Sequence, residues 1–440
     1  MKLIHTADWH LGKRLNGFLL DAEQREALAA LLVVVDRESP DVMLLAGDVF
    51  DTPVPPLSAL ETWSWFVNEL VAERGVPLVA IPGNHDHPER LAVNARVARR
   101  SGLHILHDLR ECHLAVRVAG IEIFGVPFHK PAHVRTAFPE EPGGVDGERG
   151  REPGALPDWD PNASYDLAMD RVLQRVRAAF AGDGPSVLMG HAFVEGGGEE
   201  PDGEDAIAVG GAGTVRVATL AGFDYVALGH IHGARDLVRS GPPVRYAGSI
   251  YPYSFSEAGR AKSVDVVTFE DGATSVRRAP IEVRRRVRLI EDVTFEQVLD
   301  EAATVPQDER HDYVLVRVTD RGPIDHAVAR LREFYPNALL QQPAIEVTAE
   351  GIGFDGDAHT VGTEEAFRAF YRHVYQVDMS PLEDDLLREV LNEDDGNDVD
   401  YADDERANDD PAADDHSDDA AADETTGRAA SAAGDGSVQA

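Results

Sequence analysis

Two hydrophobic periods alternate along the first part of the chain. Short, mostly apolar runs bounded by turn residues, at positions 3–6, 42–46, 78–81, 187–189 and 225–228, read as buried strands of an α/β sheet. Stretches 21–38, 58–73 and 163–181 read as helices between them. The alternation over residues 1–280 predicts two sheets packed face to face with helices outside. Two Gly-, Pro- and acid-rich stretches, 139–162 and 195–213, read as surface loops, and the second borders whatever site His191 belongs to. With 440 residues the chain exceeds the ~250–300 that one core supports, so further domains are expected.

The periodicity changes at residue 281. Strands over 283–289 and 313–318, with helices over 294–303 and 323–334, describe a small α/β unit across 281–350. Arg284, Arg285, Arg286 and Arg288 give it a local basic patch. A Gly- and Asp-containing linker, 351–361, leads to a helical segment, 362–391. In its first helix Phe367, Phe370, Tyr371 and Val374 share one face. In its second, Ser380, Pro381 and Glu383 form a start signal, and Leu382, Leu386, Leu387, Val390 and Leu391 an apolar stripe. Those faces need burial, either on the chain's own capping unit or on a partner. The tail, 392–440, holds 17 acidic and 2 basic residues with Tyr401 its sole aromatic, so it is expected to be disordered.

Charge changes the picture. With 41 basic against 79 acidic residues the net charge is −38, which by itself argues against a nucleic-acid partner. Lysine, however, occurs only at Lys2, Lys13, Lys130 and Lys262, and the acids are spread throughout, a composition suited to molar salt. There the Debye length falls to ~3 Å and long-range repulsion largely disappears, so the charge balance does not exclude a polyanionic partner. The single Cys112 forbids an internal disulfide and fits a reducing compartment. With no signal peptide and no apolar run near the ~20 residues of a membrane span, a soluble cytoplasmic protein without membrane contact is expected.

Each of the five apolar runs ends in metal-binding side chains: Asp8 and His10, Asp48, Asn84 with His85, His191, then His230 and His232. The carboxyl edge of an open α/β sheet is where ligands bind. Gly47, Gly83, Gly190 and Gly229 adjoin the candidates and permit sharp turns there. Asp8, His10, Asp48, Asn84, His191, His230 and His232 supply the donors two ions need if one carboxylate, assigned to Asp48, bridges them. Mixed imidazole, carboxylate and amide donors suit Mn, Fe or Zn. Two such ions ~3.5–4 Å apart activate water and clamp a phosphate. His5, His87, His104, His107, His113, His129 and His133 lack this context and read as structural or exposed.

Asp8-Trp9-His10, Gly47-Asp48-Val49-Phe50-Asp51, Gly83-Asn84-His85-Asp86, Gly190-His191 and Gly229-His230-Ile231-His232 resemble the signature motifs of calcineurin-like metallophosphoesterases. More narrowly, residues 5–12, 46–52, 227–232 and 246–249 resemble the SbcD-type exonuclease subunit of the prokaryotic DNA double-strand-break repair nuclease. The resemblance covers residues 1–280 well and the rest loosely. It implies the metallophosphoesterase fold, a capping domain that contacts DNA, and two Mn²⁺ ions. One ion would be held by Asp8, His10, Asp48 and His232, the other by Asp48, Asn84, His191 and His230. His85 would stabilise the transition state or protonate the leaving oxygen, with Asp86 orienting its ring. Asp51 stands where some relatives have histidine, as in SbcD-type members. The implied activity is 3′ to 5′ trimming of duplex ends and cleavage of hairpins and single strands. The implied partners are DNA ends and an SMC-like coiled-coil ATPase, the SbcC type, docked on residues 362–391. A homodimer within a heterotetramer is the family expectation, and the helix carrying Trp63 and Trp65 is a candidate interface. The motifs alone also allow a small-molecule phosphoesterase, and the assembly allows a scaffold that tethers DNA ends.

Overall fold

The structure is a computed structural model that describes residues 1–139, 164–195, 213–238, 240–343, 363–375 and 377–394. The bodies of the two expected loops, the linker and the tail from residue 395 lie outside the described residues.

Alternate residues on each central strand serve different cores, which makes these strands continuous apolar runs. All five residues of Val42–Ala46 are buried: Val42 and Leu44 face the second sheet, beside Leu3, Val79 and Ile81, whereas Met43 and Leu45 face helices. The first sheet runs, in spatial order, Ala273–Ile281, Lys262–Glu270, Lys2–Thr6, Val42–Ala46, Leu78–Ile81, Leu103–Ile105. The second runs Arg235–Asp236, Val244–Tyr246, Tyr225–Gly229, Ser186–His191, Ile121–Val126, Val116–Val118. Helices Asp21–Glu38 and Leu57–Val67 pack on the first sheet, and Tyr165–Ala178 on the second. The expected two-sheet sandwich with flanking helices is therefore the architecture. Stretch 58–73 is not one α-helix: beyond Val67 it continues as a π-helical turn, Asn68–Glu73, closed by Arg74, which donates to the Glu69 main-chain oxygen at 2.9 Å. Between the sheets lie two polar links, Arg245 to Asp265 at 2.6 and 2.9 Å and His5 Nδ1 to the Tyr225 hydroxyl at 2.9 Å.

The smaller unit is a three-stranded parallel sheet, Val287–Val293, Tyr313–Val318 and Ala338–Gln341, with helices Phe295–Ala302 and Ala327–Phe334. Its first strand starts four residues later than the apolar pattern suggests, because the arginines before it are drawn to helix Asp21–Glu38. Arg284 pairs with Glu26 at 3.0 Å and Arg285 with Glu23 at 2.6 Å. Arg288 lies 3.5 Å from Glu309. Three of the four arginines of the expected patch are thus ion-paired: Arg284 and Arg285 moor the unit to the helix, and Arg288 pairs within the unit. Tyr251, donating to the Arg285 main-chain oxygen at 2.9 Å, and Tyr313, donating to that of Leu19 at 3.3 Å, add to the mooring.

The described residues beyond 346 belong to a second compact unit. Its described part is two helices, Thr363–Tyr375 and Pro381–Asp394. The start signal is realised as a capping box: the Ser380 N–H donates to the Glu383 carboxylate at 2.7 Å and the Glu383 N–H to Ser380 Oγ at 3.4 Å. Tyr371 donates to Glu383 at 2.6 Å and Arg368 pairs with Asp384 at 2.5 Å, joining the helices. Phe367, Phe370, Leu382, Leu386 and Val390 are exposed, and Leu387 is buried. Among the described residues no helix is long and apolar enough to cross a membrane.

Candidate metal centre

Parallel register carries the carboxyl ends of four strands in each sheet to one edge, with Ala46 opposite Ile81 in one sheet and Gly229 opposite His191 in the other. The loops beyond that edge are tied together by backbone. The Asp8 N–H donates to the Gly47 oxygen at 3.0 Å and the His10 N–H to the Asp48 oxygen at 2.9 Å. The His230 N–H donates to Asp8 Oδ1 at 2.8 Å and the His85 N–H to Asp48 Oδ1 at 3.0 Å. Asp8, His10, Asp48 and His230 have φ of 54, 43, 50 and 106°, a left-handed region that side chains rarely adopt. These bonds hold the ligands there against local preference. Glycine is required where the loops pass closest: a Cβ on Gly83 would collide with the Asp48 carboxylate, and one on Gly229 with the Ala46 oxygen.

The seven candidate donors converge in two groups that share Asp48. In one, His10 Nε2 lies 3.1 Å from His232 Nε2 and 3.5 Å from Asp48 Oδ2, with an Asp8 ligand atom within 4.8 Å of His10 and Asp48. In the other, His191 Nε2 lies 3.2 Å from Asp48 Oδ2 and 3.0 Å from Asn84 Oδ1, which is also 3.0 Å from His230 Nδ1.

Two observations fit divalent ions to this cluster. Asp8 Oδ2 is buried with no hydrogen-bond partner, a cost that coordination would remove. Burial pushes the imidazoles of His10 and His230 down to about 4 and about 3, so both rings are neutral, as ligands must be. For the side chains alone, burial pushes Asp8 up to about 6. Burial also opposes charge on Asp48 and His191, yet their mutual attraction wins: His191 rises to about 9 and Asp48 is held well below the usual range. A proton thus sits where a cation would, and coordination must displace it.

Other groups fix the ligands. His191 Nδ1 donates to the Ala46 main-chain oxygen at 2.8 Å, leaving Nε2 for coordination. Gln24 donates to the His10 main-chain oxygen at 2.7 Å, and Glu257 Oε1 lies 3.3 Å from His232 Nδ1. Neither Gln24 nor Glu257 follows one of the apolar runs, so the strand-end pattern did not reveal them. His85 stands beside the cluster, its ring edge-on to His10 at 4.7 Å, and its Nδ1 donates to the Asp51 main-chain oxygen at 2.8 Å.

The expectation that Asp86 orients the ring of His85 is corrected. The Asp86 carboxylate accepts from the main-chain N–H of Val49 and Phe50 at 3.0 Å each and of Gly83 at 2.9 Å. It stitches the Asp48 loop to the Asn84 loop, and main chain orients His85 instead. Of the histidines read as structural or exposed, His5 and His129 are buried and hydrogen-bonded, to Tyr225 and to the Pro127 oxygen.

The cluster floors a cleft of about 1030 Å³. Lys13, Arg14 and Arg260 line it, and Leu315, Arg317 and Gln341 of the three-stranded unit form part of its wall.

A model of the calcineurin-like phosphoesterase family matches residues 1–234, more than half of the chain. The protein belongs to the calcineurin-like phosphoesterases. As a member of this family it is a metal-dependent enzyme, and its donor groups fit divalent ions. A second model, described as the type 5 capsule protein repressor C-terminal domain, matches residues 283–375 of this phosphoesterase. The SbcD-type resemblance has a counterpart in Staphylococcus epidermidis, a protein named as the SbcD component of the nuclease SbcCD. It is 26% identical over 393 residues, covering 89% of this chain and 98% of that protein. Among solved structures, a Thermus thermophilus protein is 15% identical with a TM-score of 0.36, covering 63% of this chain and 98% of its own. A Danio rerio dimetal phosphatase is 11% identical with a TM-score of 0.37, covering 64% and 99%.

Proposed function

We propose that this phosphoesterase is a two-metal, Mn²⁺-dependent DNA nuclease of the SbcD type, acting on phosphodiesters at double-strand ends. The observation that carries this reading is the cleft: the donor cluster lies beneath a channel bordered by Lys13, Arg14, Arg260 and Arg317, in a chain of net charge −38. Local cations in an otherwise acidic protein suit a substrate with phosphates on both sides of the scissile bond. The relative named as a nuclease component extends along nearly the whole chain, capping unit included. A small phosphodiester would need neither the second wall nor the C-terminal helices.

Asp8, His10, Asp48 and His232 would hold one ion, and Asp48, Asn84, His191 and His230 the other. When bound, the pair supplies Lewis acidity to water and phosphate. His85 does the proton work of the chain itself. Because Nδ1–H is committed to the Asp51 oxygen, Nε2 is the atom that carries a proton towards the leaving 3′ oxygen. Arg14, Arg260 and Arg317 hold flanking phosphates. The capping domain, residues 281–350, guides DNA, and the exposed apolar faces of 362–391 dock on the coiled coil of an SMC-like ATPase. A homodimer within a heterotetramer, located in the cytoplasm, completes the reading.

The test is cleavage of an end-labelled linear duplex by the full chain with Mn²⁺ in molar KCl, beside a chromogenic phosphodiester. Stepwise shortening of the DNA is expected. Hydrolysis of the small ester with no cleavage of any DNA would assign the enzyme to small phosphodiesters.

A further inference from the structure

The two halves of the donor cluster differ in what stands behind the imidazoles. His232 Nδ1 is hydrogen-bonded to the Glu257 carboxylate at 3.3 Å, and His10 Nδ1 lies 3.3 Å from the Asp51 carboxylate, an ion-pair contact whose angle falls short of a hydrogen bond. Each carboxylate is bound in turn by a lysine, Asp51 by Lys13 at 2.8 Å and Glu257 by Lys262. The two chains of contacts arise from unrelated segments, one from the loops after Lys2–Thr6 and Val42–Ala46 and one from the turn Phe255–Glu257 with the strand Lys262–Glu270. They meet where the Nε2 atoms of His10 and His232 approach to 3.1 Å. In the other half the Ala46 main-chain oxygen accepts from His191 Nδ1, with Asp8 Oδ1 farther off at 4.0 Å, and the Asn84 amide lies between His191 and His230.

The lysines are informative because this chain avoids lysine: four of its 41 basic residues, two of which occupy these places. The buried ammonium of Lys262 donates to Glu257, to Ser249 Oγ at 2.7 Å and to the His232 main-chain oxygen at 3.1 Å. Three convergent acceptors match the three donors of an ammonium and not the flat five-donor fork of a guanidinium. Glu257, also accepting from the Tyr253 N–H at 3.1 Å, is thereby held away from the ion and turned to the ring. A carboxylate on the far nitrogen fixes the tautomer and raises the basicity of the ligating nitrogen.

We propose that Glu257 with Lys262, and Asp51 with Lys13, are positioning residues that hold His232 and His10 for one ion of the pair, making it bind more tightly than the ion held by Asn84, His191 and His230. This rests on the two-ion reading above. The experiment is a Mn²⁺ titration of the full chain by calorimetry and electron paramagnetic resonance. Wild type should bind two ions in distinguishable steps. Glu257→Gln should weaken the tighter step by about ten- to a hundredfold and alter the spectrum of the first ion, leaving the second step within about threefold. Asp51→Asn, at a half-buried position, should weaken the same step and decides the matter alone if Glu257→Gln does not fold by circular dichroism. Two unchanged steps in both variants, or equal weakening of both steps, overturns the inference and leaves the two-ion reading standing. Wild type that takes up no Mn²⁺ overturns both.

Discussion

The imidazole of His85 and the main-chain oxygen of Asp51 are joined by a 2.8 Å hydrogen bond in which Nδ1 donates. The bond sets the tautomer without using a ligand's electrons, so His85 can act on substrate while the donor cluster stays intact. His85→Ala should lower phosphodiester hydrolysis by about 10²- to 10⁴-fold, the usual worth of a positioned acid. Manganese content by elemental analysis should match wild type. Loss of an ion from this variant would make His85 a ligand and defeat the assignment.

Asp86 belongs to the scaffold. Asp86→Ala would strand three buried N–H groups, those of Val49, Phe50 and Gly83, at about 1–3 kcal/mol each. Chemical denaturation should show a loss of about 3 kcal/mol or more. Asp86→Asn should lose less, since its amide oxygen still accepts while its NH₂ opposes the N–H of one loop. Wild-type stability in Asp86→Ala with activity gone would restore the ring-orienting role.

Ion removal should destabilise the fold, because buried Asp8 Oδ2 then lacks a partner and the Asp48 loop loses its cross-link. Mn²⁺ at about a hundred times its dissociation constant should add about 2.7 kcal/mol per site, seen as a rise in melting temperature that excess EDTA reverses. A melting temperature indifferent to both would mean that no ion is bound by the folded state in preference to the unfolded chain.

Acid should act through His5. Burial, with Arg245 nearby, pushes its imidazole down to about 3, while the unfolded chain titrates near 6.5. Between those values the unfolded state binds the extra proton, so this contribution is intact above about 6.5 and falls as pH drops, by up to about 1.4 kcal/mol per pH unit, levelling near 3. His5→Gln keeps a polar partner for Tyr225 and should flatten the stability profile by one proton in EDTA buffers. An unchanged slope would show that His5 does not titrate in this window.

The convergence of the candidate donors was legible because each follows a strand that the apolar pattern marks, and parallel strands must bring their carboxyl ends together. Asp86 was misread because adjacency in the chain, next to His85, says nothing about where two successive side chains point: one faces the cleft, the other the loops beneath. Glu257 lies in an irregular loop beyond the short strand Val244–Tyr246, and Lys262 opens the strand Lys262–Glu270 rather than following one, so the strand-end pattern flags neither. The scarcity of lysine was the only mark they left. Ala338–Gln341 is too short to announce itself as a strand, and the late start at Val287 reflects pairs formed across the tertiary structure with Glu23 and Glu26. Propensity within the segment could not show either.

Four of the ligating residues, Asp8, His10, Asp48 and His230, stand in backbone conformations that glycine would occupy at lower energy. Asp8 and Asp48 offset that strain by accepting the main-chain N–H groups of His230 and His85, whereas at His10 and His230 the protein is less stable than its own scaffold permits. A lineage released from catalysis should drift towards glycine or asparagine at positions 10 and 230, growing hardier as it loses its chemistry. Screening random variants of this chain for heat resistance alone should recover such inactive, sturdier forms.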